Sequence, residues 1–531
     1  MSGVHRLGNH WLVGLTTLWA MPQTDVHLPV LSSASASQQV AIPQVHAAYE
    51  KKEKCAVVGI WGARQSARLA YLALYAQQHR GQESSGICVS SGSRLTATTG
   101  MGLVTEVFSE QELNRLEALG GKGAIGHNRY STAGGSLSCN AQPFLEQYVG
   151  GQVSIAHNGN LINADLWRNQ FEQQGHLFHT TSDTEVVVHL LASPSQQQSH
   201  DPVAMTMRRL QGAFSLVLQF PDRIEAARDP WGWRPLVLGK FPDGGYIVAS
   251  ESVALDVTGA EIVREVEPGE IVTLSDAGVA SRRFAEPAER LAMCVFEHVY
   301  FANPASNVFG QNVQAARESL GEILSREAPV RADYVMPMPD SGRSAAAGYA
   351  RASGIPYREG IVPNRYVGRT FIKPSQDQRI AAVRLKLNVI SDLVRDKRVI
   401  IVDDSIVRGT TTKAKMDQVR RAGAKEIHLR ISCPPIRHPC YFGVDFATRD
   451  QLIAHGRTVE EVRQYLGVDT LHFLSLDGLL SAMRRPGNHY CTACFSGEYR
   501  LDPERPEIGF EVDSEQIPMF GHVSARHLSD P

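Results

Sequence analysis

The 531-residue chain carries a net charge of −2, with 43% apolar and 20% charged residues. These are ordinary proportions for a soluble globular protein of several domains, and they exclude the basic excess of a nucleic-acid binder. No apolar run is long enough to span a bilayer, and eight cysteines in such a length point to reduced thiols or metal ligands rather than a disulfide scaffold.

Residues 1–54 differ from the rest of the chain: Trp11–Met21 is a short apolar stretch, Ser32–Ser37 is almost all Ser and Ala, and acidic residues are nearly absent before Glu50. A secretory signal, an organelle transit segment and an unstructured leader all fit. From Cys55 the pattern turns strand-like, with Cys-Ala-Val-Val-Gly-Ile-Trp-Gly ended by glycine. A helix with one apolar face is predicted over Ala67–His79. The β-rich runs Val153–Ala156, Phe214–Gln219 and Tyr246–Ala249, with a helix at Val186–Leu191, predict an α+β layered domain up to about Phe284. After Arg290 helices and buried strands alternate. Asn312–Ser325, Ser344–Ala352 and Lys413–Ala422 read as helices; Ala332–Met338, Lys397–Val402 and Glu426–Ser432 read as strands. That alternation predicts a parallel sheet covered on both faces. Beyond about Gly487 charge and proline suggest a tail. The chain thus divides into a leader (1–54), an α+β domain (55–290), an α/β domain (291–486) and a C-terminal segment (487–531).

The string Val399-Ile400-Ile401-Val402-Asp403-Asp404-Ser405-Ile406-Val407-Arg408-Gly409-Thr410-Thr411 is the most informative. An apolar strand ends in two carboxylates, then a small hydroxyl-bearing loop enters a helix, whose first N–H groups suit a phosphate. Asp403 and Asp404 would repel a phosphate and suit sugar hydroxyls or a magnesium ion shared with a diphosphate. The Walker and dinucleotide fingerprints are absent. The plain alternative is a polar turn whose aspartates cap the next helix. The string resembles the phosphoribosyl pyrophosphate motif of type I phosphoribosyltransferases, which implies ribose hydroxyls on Asp403 and Asp404 and the 5′-phosphate cradled by Ser405 to Thr412. Pro339-Asp340-Ser341-Gly342 resembles that family's pyrophosphate loop, with Ser341, Asp403 and Asp404 as the implied magnesium ligands.

Gln77–Glu83, Gly126–Thr132, Ala156–Asn160 and Ser182–Glu185, together with the Cys55 segment, resemble class II glutamine amidotransferases, which are N-terminal-nucleophile hydrolases of αββα architecture. The resemblance implies that Cys55 is the nucleophile. With the leader removed, its own α-amine would take the thiol proton. Asn158 and the backbone of Gly159 would stabilise the oxyanion, Arg129 would bind the glutamine α-carboxylate as a planar fork, and Asp183 the α-ammonium. Taken singly, each has a plainer reading: Cys55 a core thiol, Asn158-Gly159 a hairpin turn, Arg129 a surface charge and Asp183 a helix N-cap. His127 reads as structural.

The two resemblances together indicate a glutamine-dependent phosphoribosyltransferase that yields phosphoribosylamine, glutamate and pyrophosphate, the opening step of purine synthesis. Ammonia would pass between two sites. The segment Asn364–Ile372 resembles the closing loop of that family, and Arg369 and Lys386 suit pyrophosphate charge. A different class II amidotransferase, or a phosphoribosyltransferase-like ligand sensor, are the competing readings.

Cys491-Thr492-Ala493-Cys494 fits zinc, iron–sulfur or redox chemistry. The resemblance implies one four-iron cluster per subunit on Cys294, Cys440, Cys491 and Cys494, with Cys433 a bystander; zinc with His489 is the alternative. It also implies one magnesium ion per subunit, a homotetramer and feedback by purine nucleotides. Many relatives carry lysine where this chain has Pro363, which bears on nucleotide contacts. No nucleic acid or membrane partner is expected, and the cytosol is the default compartment, or a plastid if the leader is a transit segment.

Overall fold

The computed structural model describes residues 55–119, 121–130, 137–364, 387–444 and 448–507, which all belong to one compact unit. The leader, the span 365–386 with Arg369 and Lys386, and residues 508–531 lie outside the described residues.

The first half is built from strands β1 (Ala56–Trp61), β2 (Ser84–Ser90), β3 (Leu95–Met101), β4 (Gly123–Arg129), β5 (Phe144–Tyr148), β6 (Gly151–Leu161), β7 (Gly212–Phe220), β8 (Arg223–Arg228), β9 (Val237–Lys240), β10 (Tyr246–Ala249), β11 (Glu261–Glu265), β12 (Glu270–Ser275) and β13 (Gly278–Arg283). The helices are α1 (Ser66–Ala76), α2 (Glu110–Ala118), α3 (Ala164–Gln173), α4 (Glu185–Ala192), α5 (Pro202–Arg209) and α6 (Ser252–Thr258). One sheet runs β11-β9-β10-β1-β4-β2-β3 and the other β13-β12-β8-β7-β6-β5.

Period-two alternation explains how β1 serves two layers. Val58 and Ile60 pack with Ala70, Leu74, Leu113 and Leu255 of α1, α2 and α6. Val57 and Trp61 point the other way, onto Ala156, Val217 and Ile224 of the second sheet. That sheet's outer face, with Ile155, Leu216 and Leu218, is covered by Trp167, Phe171, Val187 and Met207 of α3, α4 and α5. The result is the αββα sandwich. At Gly59 a Cβ would meet Val217 at 2.9 Å, so the sheets approach closely behind the first strand.

The second half adds α7 (Val313–Glu327), β14 (Tyr334–Pro337), α8 (Arg343–Ser353), β15 (Arg398–Asp403), α9 (Thr410–Arg421), β16 (Glu426–Ile431) and β17 (Thr470–Phe473). The four strands are parallel in the order β14-β15-β16-β17. Helices α7 and α8 cross at two glycines: a Cβ on Gly321 would lie 1.9 Å from Ala345 O, and one on Gly348 2.0 Å from Glu318 O.

The expected elements shift by a few residues, with three instructive differences. Asn158-Gly159 sits inside β6 rather than in a hairpin turn, because Gly159 lies against Ala213 of β7, whose carbonyl oxygen would be 1.9 Å from a Cβ. Helix α9 starts at Thr410, three residues before the expected Lys413, because Gly409 adopts φ 74° and turns the chain into it. The C-terminal segment is not a free tail. Tyr490–Cys491 pairs in parallel with Met293–Cys294. Farther on, the Glu507 N–H donates to Gln211 Oε1 (2.7 Å) and its carbonyl accepts from Asn163 Nδ2 (2.9 Å).

Candidate functional site

Cys55 is fully buried at the head of β1. Its carbonyl oxygen accepts a hydrogen bond from Arg80 Nε at 3.0 Å. The rest of the Arg80 guanidinium is enclosed by carboxylates. Nη1 donates to Glu251 (2.6 Å) and Glu297 (2.9 Å), and Nη2 to Glu297 (2.7 Å). Arg234 Nη1 donates to the same Glu297 at 3.2 Å. All four side chains are at most 4% exposed. Burial pushes the Glu251 carboxyl up, but the charges of His79 and Arg80 outweigh it and hold Glu251 below the usual carboxylate range. Glu297 likewise lies low: Arg80 and Arg234 overcome the cost of its burial.

Asn158 and Gly159 lie on β6, across the sandwich from β1. Asn158 Nδ2 contacts Ser250 Oγ at 3.4 Å, and Ser250 Oγ accepts the Val57 N–H at 3.0 Å. Asn158 Oδ1 is buried without a hydrogen-bond partner. With the amide turned over, the Ser250 hydroxyl would donate to Oδ1 and the NH2 group would keep its donors available.

Arg129 ends β4 and is buried, not a surface charge; its Nη1 donates to Glu83 Oε1 at 2.8 Å. Asp183 is buried too, and the N-cap of α4 is Thr184. Asp183 Oδ2 instead accepts the Leu161 N–H at 2.8 Å, which ties it to the end of β6. Its Oδ1 lies near the Ser182 and Thr184 hydroxyls, 3.4 and 3.3 Å away. His127 Nε2 bonds the His157 carbonyl at 2.9 Å, and burial holds its imidazole down at about 3, so it is neutral and structural. Sequence reasoning missed Arg80, Glu83, Ser250, Glu251, Glu297 and Arg234. Arg80 and Glu83 stand inside the Gln77–Glu83 motif; no local pattern marks the others.

In the second half, β14 and β15 are neighbours, with Pro337 opposite Val402. The loops leaving their C-terminal ends therefore lie side by side, where ligands bind in open parallel sheets. The Met338 N–H donates to Val402 O (2.8 Å) and the Gly342 N–H to Met338 O (2.9 Å). Ser341 is half-buried beside a cis Pro339–Asp340 peptide. Asp403 and Asp404 are nearly buried, and the Asp404 N–H donates to Asp403 Oδ1 at 3.0 Å. Ser405 donates its hydroxyl to Asp404. Burial and then the Asp404 charge push the Asp403 carboxyl up to about 8, so the pair favours a cation or hydroxyl donors over an anion. Ile406 anchors the loop in the core and Val407 is half-buried, whereas Arg408, Thr410 and Thr411 are exposed around buried Gly409.

Cys294 lies opposite Cys491 in the short parallel ladder. Cys494 feels the charges of Cys440, Cys491 and Cys294, Cys294 those of Cys491 and Cys440, and Cys440 that of Cys491. Burial, then the Glu297 charge and the neighbouring sulfurs, push Cys294 up to about 12 despite Arg234 nearby. Cys433 is fully buried and turns its thiol onto the Pro434 carbonyl at 3.3 Å. Among the described residues no three His, Cys, Asp or Glu side chains are grouped to hold a single metal ion, and none of the helices is long and apolar enough to cross a membrane.

Residues 127–257 match the glutamine amidotransferase domain family. The chain is 47% identical to the amidophosphoribosyltransferase of Bacillus subtilis over 84% of its own length and 94% of the relative's. It is 46% identical to the chloroplastic amidophosphoribosyltransferase of Glycine max, over 86% of this chain and 80% of that one. Among solved structures, the glutamine phosphoribosylpyrophosphate amidotransferase of B. subtilis complexed with ADP and GMP superposes with a TM-score of 0.77 at 46% identity, covering 84% of this chain and 97% of that one.

Proposed function

This chain belongs to the amidophosphoribosyltransferase family, and from that premise we propose how its two sites divide the work. The enzyme converts phosphoribosyl pyrophosphate and glutamine into phosphoribosylamine, glutamate and pyrophosphate, the first committed step of purine biosynthesis. The observation that carries our division of labour is that one compact unit holds both Cys55, whose carbonyl Arg80 bonds and beside which Ser250 links Asn158 to Val57, and the Asp403–Thr411 loop at the end of β15.

In our reading, cleavage before Cys55 frees its α-amine. The amine takes the thiol proton, the thiolate attacks the glutamine amide, and the same amine returns a proton to departing ammonia. The Arg80 contact to the Cys55 carbonyl holds that residue's backbone while its thiol and amine react. Asn158 and the Gly159 N–H stabilise the tetrahedral oxyanion. Arg129 and Asp183 bind the substrate's carboxylate and ammonium, with Glu83 keeping the Arg129 fork oriented until the carboxylate arrives. Asp403 and Asp404 hold the ribose hydroxyls, and Ser405, Gly409, Thr410 and Thr411 cradle the 5′-phosphate. Ammonia then displaces pyrophosphate at C1, a step that needs positioning more than a base.

A magnesium ion fits the oxygen donors of Asp403, Asp404 and Ser341, and when bound it would neutralise pyrophosphate charge. A four-iron cluster fits the thiolate donor set of Cys294, paired in register with Cys491, together with Cys440 and Cys494, and it would tie these four segments together structurally. Purine nucleotides as inhibitors, passage of ammonia between the sites, a homotetramer, and residence in the cytosol or a plastid complete the proposal. The test is N-terminal sequencing of anaerobically purified protein, with glutamine hydrolysis assayed with and without phosphoribosyl pyrophosphate. A start at Cys55 with hydrolysis stimulated by that substrate is expected; full activity with the leader intact would overturn the free-amine mechanism.

A further inference from the structure

Immediately after Cys440 the second half sends a short stretch of chain into the first. The Tyr441 carbonyl accepts from Asn160 Nδ2 at 2.8 Å, and the Phe442 carbonyl accepts from Arg234 Nη2, also at 2.8 Å. The Phe442 ring, only 2% exposed, stacks on Trp233 with centroids 4.4 Å apart and planes 17° apart. Gly443 then presses on the oxyanion strand itself. A Cβ there would lie 3.0 Å from Gly159 C, 3.1 Å from Gly159 O and 2.8 Å from Arg234 Nη2, and its φ is 90°. The stretch is fixed from behind by Tyr499, whose hydroxyl donates to Pro439 O at 2.7 Å.

These contacts converge on the Gly159–Asn160 peptide, which adjoins the one that carries the Gly159 N–H. Gly159 is held on one side by Ala213 of β7 and on the other by Gly443, with Asn160 tied down next to it. An oxyanion donor works only where its N–H aims at the developing charge, so whatever sets the Gly159 backbone sets the rate.

We propose that residues 440–443 are a positioning strap for the glutaminase oxyanion hole, reaching over from the phosphoribosyltransferase half. Gly443 and Phe442 are positioning residues that act through Gly159 and Asn158; neither touches substrate. This rests on the reading of Asn158–Gly159 as the oxyanion donors. It goes beyond that reading in making the first site's rate depend on a segment of the second domain.

The test is Gly443→Ala in the full-length, processed enzyme. The added methyl meets Arg234 Nη2 at 2.8 Å and Gly159 C at 3.0 Å, so both must give way, and it strains a left-handed residue. Glutamine-dependent kcat should fall roughly tenfold to a hundredfold, with KM for glutamine little changed. Synthesis from added ammonium salts, which bypasses the first site, should be retained. The aldehyde analogue of glutamate supplies a readout that a merely structural role would not move. Cys55 adds to its carbonyl, an S–C bond forming as the thiol proton passes to the carbonyl oxygen, and the tetrahedral adduct uses the oxyanion donors. Its inhibition constant should rise by the same factor as kcat falls. Phe442→Leu, which keeps apolar bulk but loses the stack, should give the same split at smaller amplitude, and it carries the test if the alanine variant does not fold. An unchanged kcat, or KM and the aldehyde constant rising together, or an equal loss of ammonia-dependent synthesis would overturn the strap. Failure of the unaltered enzyme to hydrolyse glutamine would instead overturn the reading of the first site.

Discussion

Replacing Glu297 with glutamine tests the buried charge cluster behind Cys55. Two buried cations, Arg80 and Arg234, balance two buried anions, Glu251 and Glu297, with the half-buried His79 on Glu251 at the edge of the group. Glu297 accepts three of its hydrogen bonds, two from Arg80 and one from Arg234. Glu297→Gln keeps the shape, leaves one uncompensated positive charge among side chains that water scarcely reaches, and turns an NH2 group toward arginine donors. Breaking a buried pair on one side costs about 3–5 kcal/mol. Removing Arg234 as well, as Arg234→Met, restores the balance. The double variant should therefore lose less than the sum of the singles, by about 1–3 kcal/mol. Guanidinium denaturation of the four proteins of this cycle reads both numbers. Glutamine-dependent turnover should fall more than ammonia-dependent turnover, because Arg80 also holds the Cys55 carbonyl. A loss under about 1 kcal/mol for Glu297→Gln, at the level of surface ion pairs, would refute the claim that these charges are desolvated and mutually dependent.

Three other outcomes are expected. Gly409→Ala puts a Cβ 2.3 Å from Ile453 Cδ1 at φ 74°, so stability should drop by about 1–3 kcal/mol; KM for phosphoribosyl pyrophosphate should rise at least roughly tenfold in steady-state assays, while basal glutamine hydrolysis persists. His127 is held neutral by burial with its imidazole at about 3, against about 6.5 unfolded, so its contribution is whole above pH 6.5 and is lost as pH falls toward 3. Between pH 7 and pH 5 the enzyme should lose about 2 kcal/mol through this residue, and His127→Gln should flatten that slope in denaturant titrations; an unchanged slope would show the ring to be solvated. Cys294→Ser and Cys491→Ser should each remove bound iron and its visible absorbance, whereas Cys433→Ser should leave both intact; equal iron in all three would refute the ligand assignment.

Much of the architecture is local and therefore legible. The apolar alternation of β1, the strand–helix rhythm after Arg290 and the Asp403–Thr411 string each state their structure within a dozen residues. Helix α9 begins earlier than periodicity suggests because Gly409, not an apolar residue, determines its start. Asn158-Gly159 carries a turn signal that the fold overrides. The pair is needed in mid-strand, where the close approach of β7 tolerates only glycine, so local preference conflicts with the fold at the position we assign to the oxyanion hole.

What stayed hidden has one physical character. Arg80 acts on the carbonyl of Cys55, Arg234 on that of Phe442, 208 residues away, and Asn160 on that of Tyr441, 281 residues away. In each case a side chain is matched to a backbone oxygen, which every residue possesses, so the partner leaves no mark in the sequence. The same holds for the seam between the halves. Trp233 and Ala213 from the first half pack with Ala292, Phe442 and the edges of Cys440, Cys491 and Leu501 in one small apolar cluster. No stretch of chain shows a hydrophobic period that would announce it, since each contributes one or two residues. A motif names the groups that touch substrate, because chemistry restricts their type. The groups that aim them are restricted by geometry, which is why Gly443 reads in the sequence as an ordinary turn glycine and in the fold as the neighbour of Gly159.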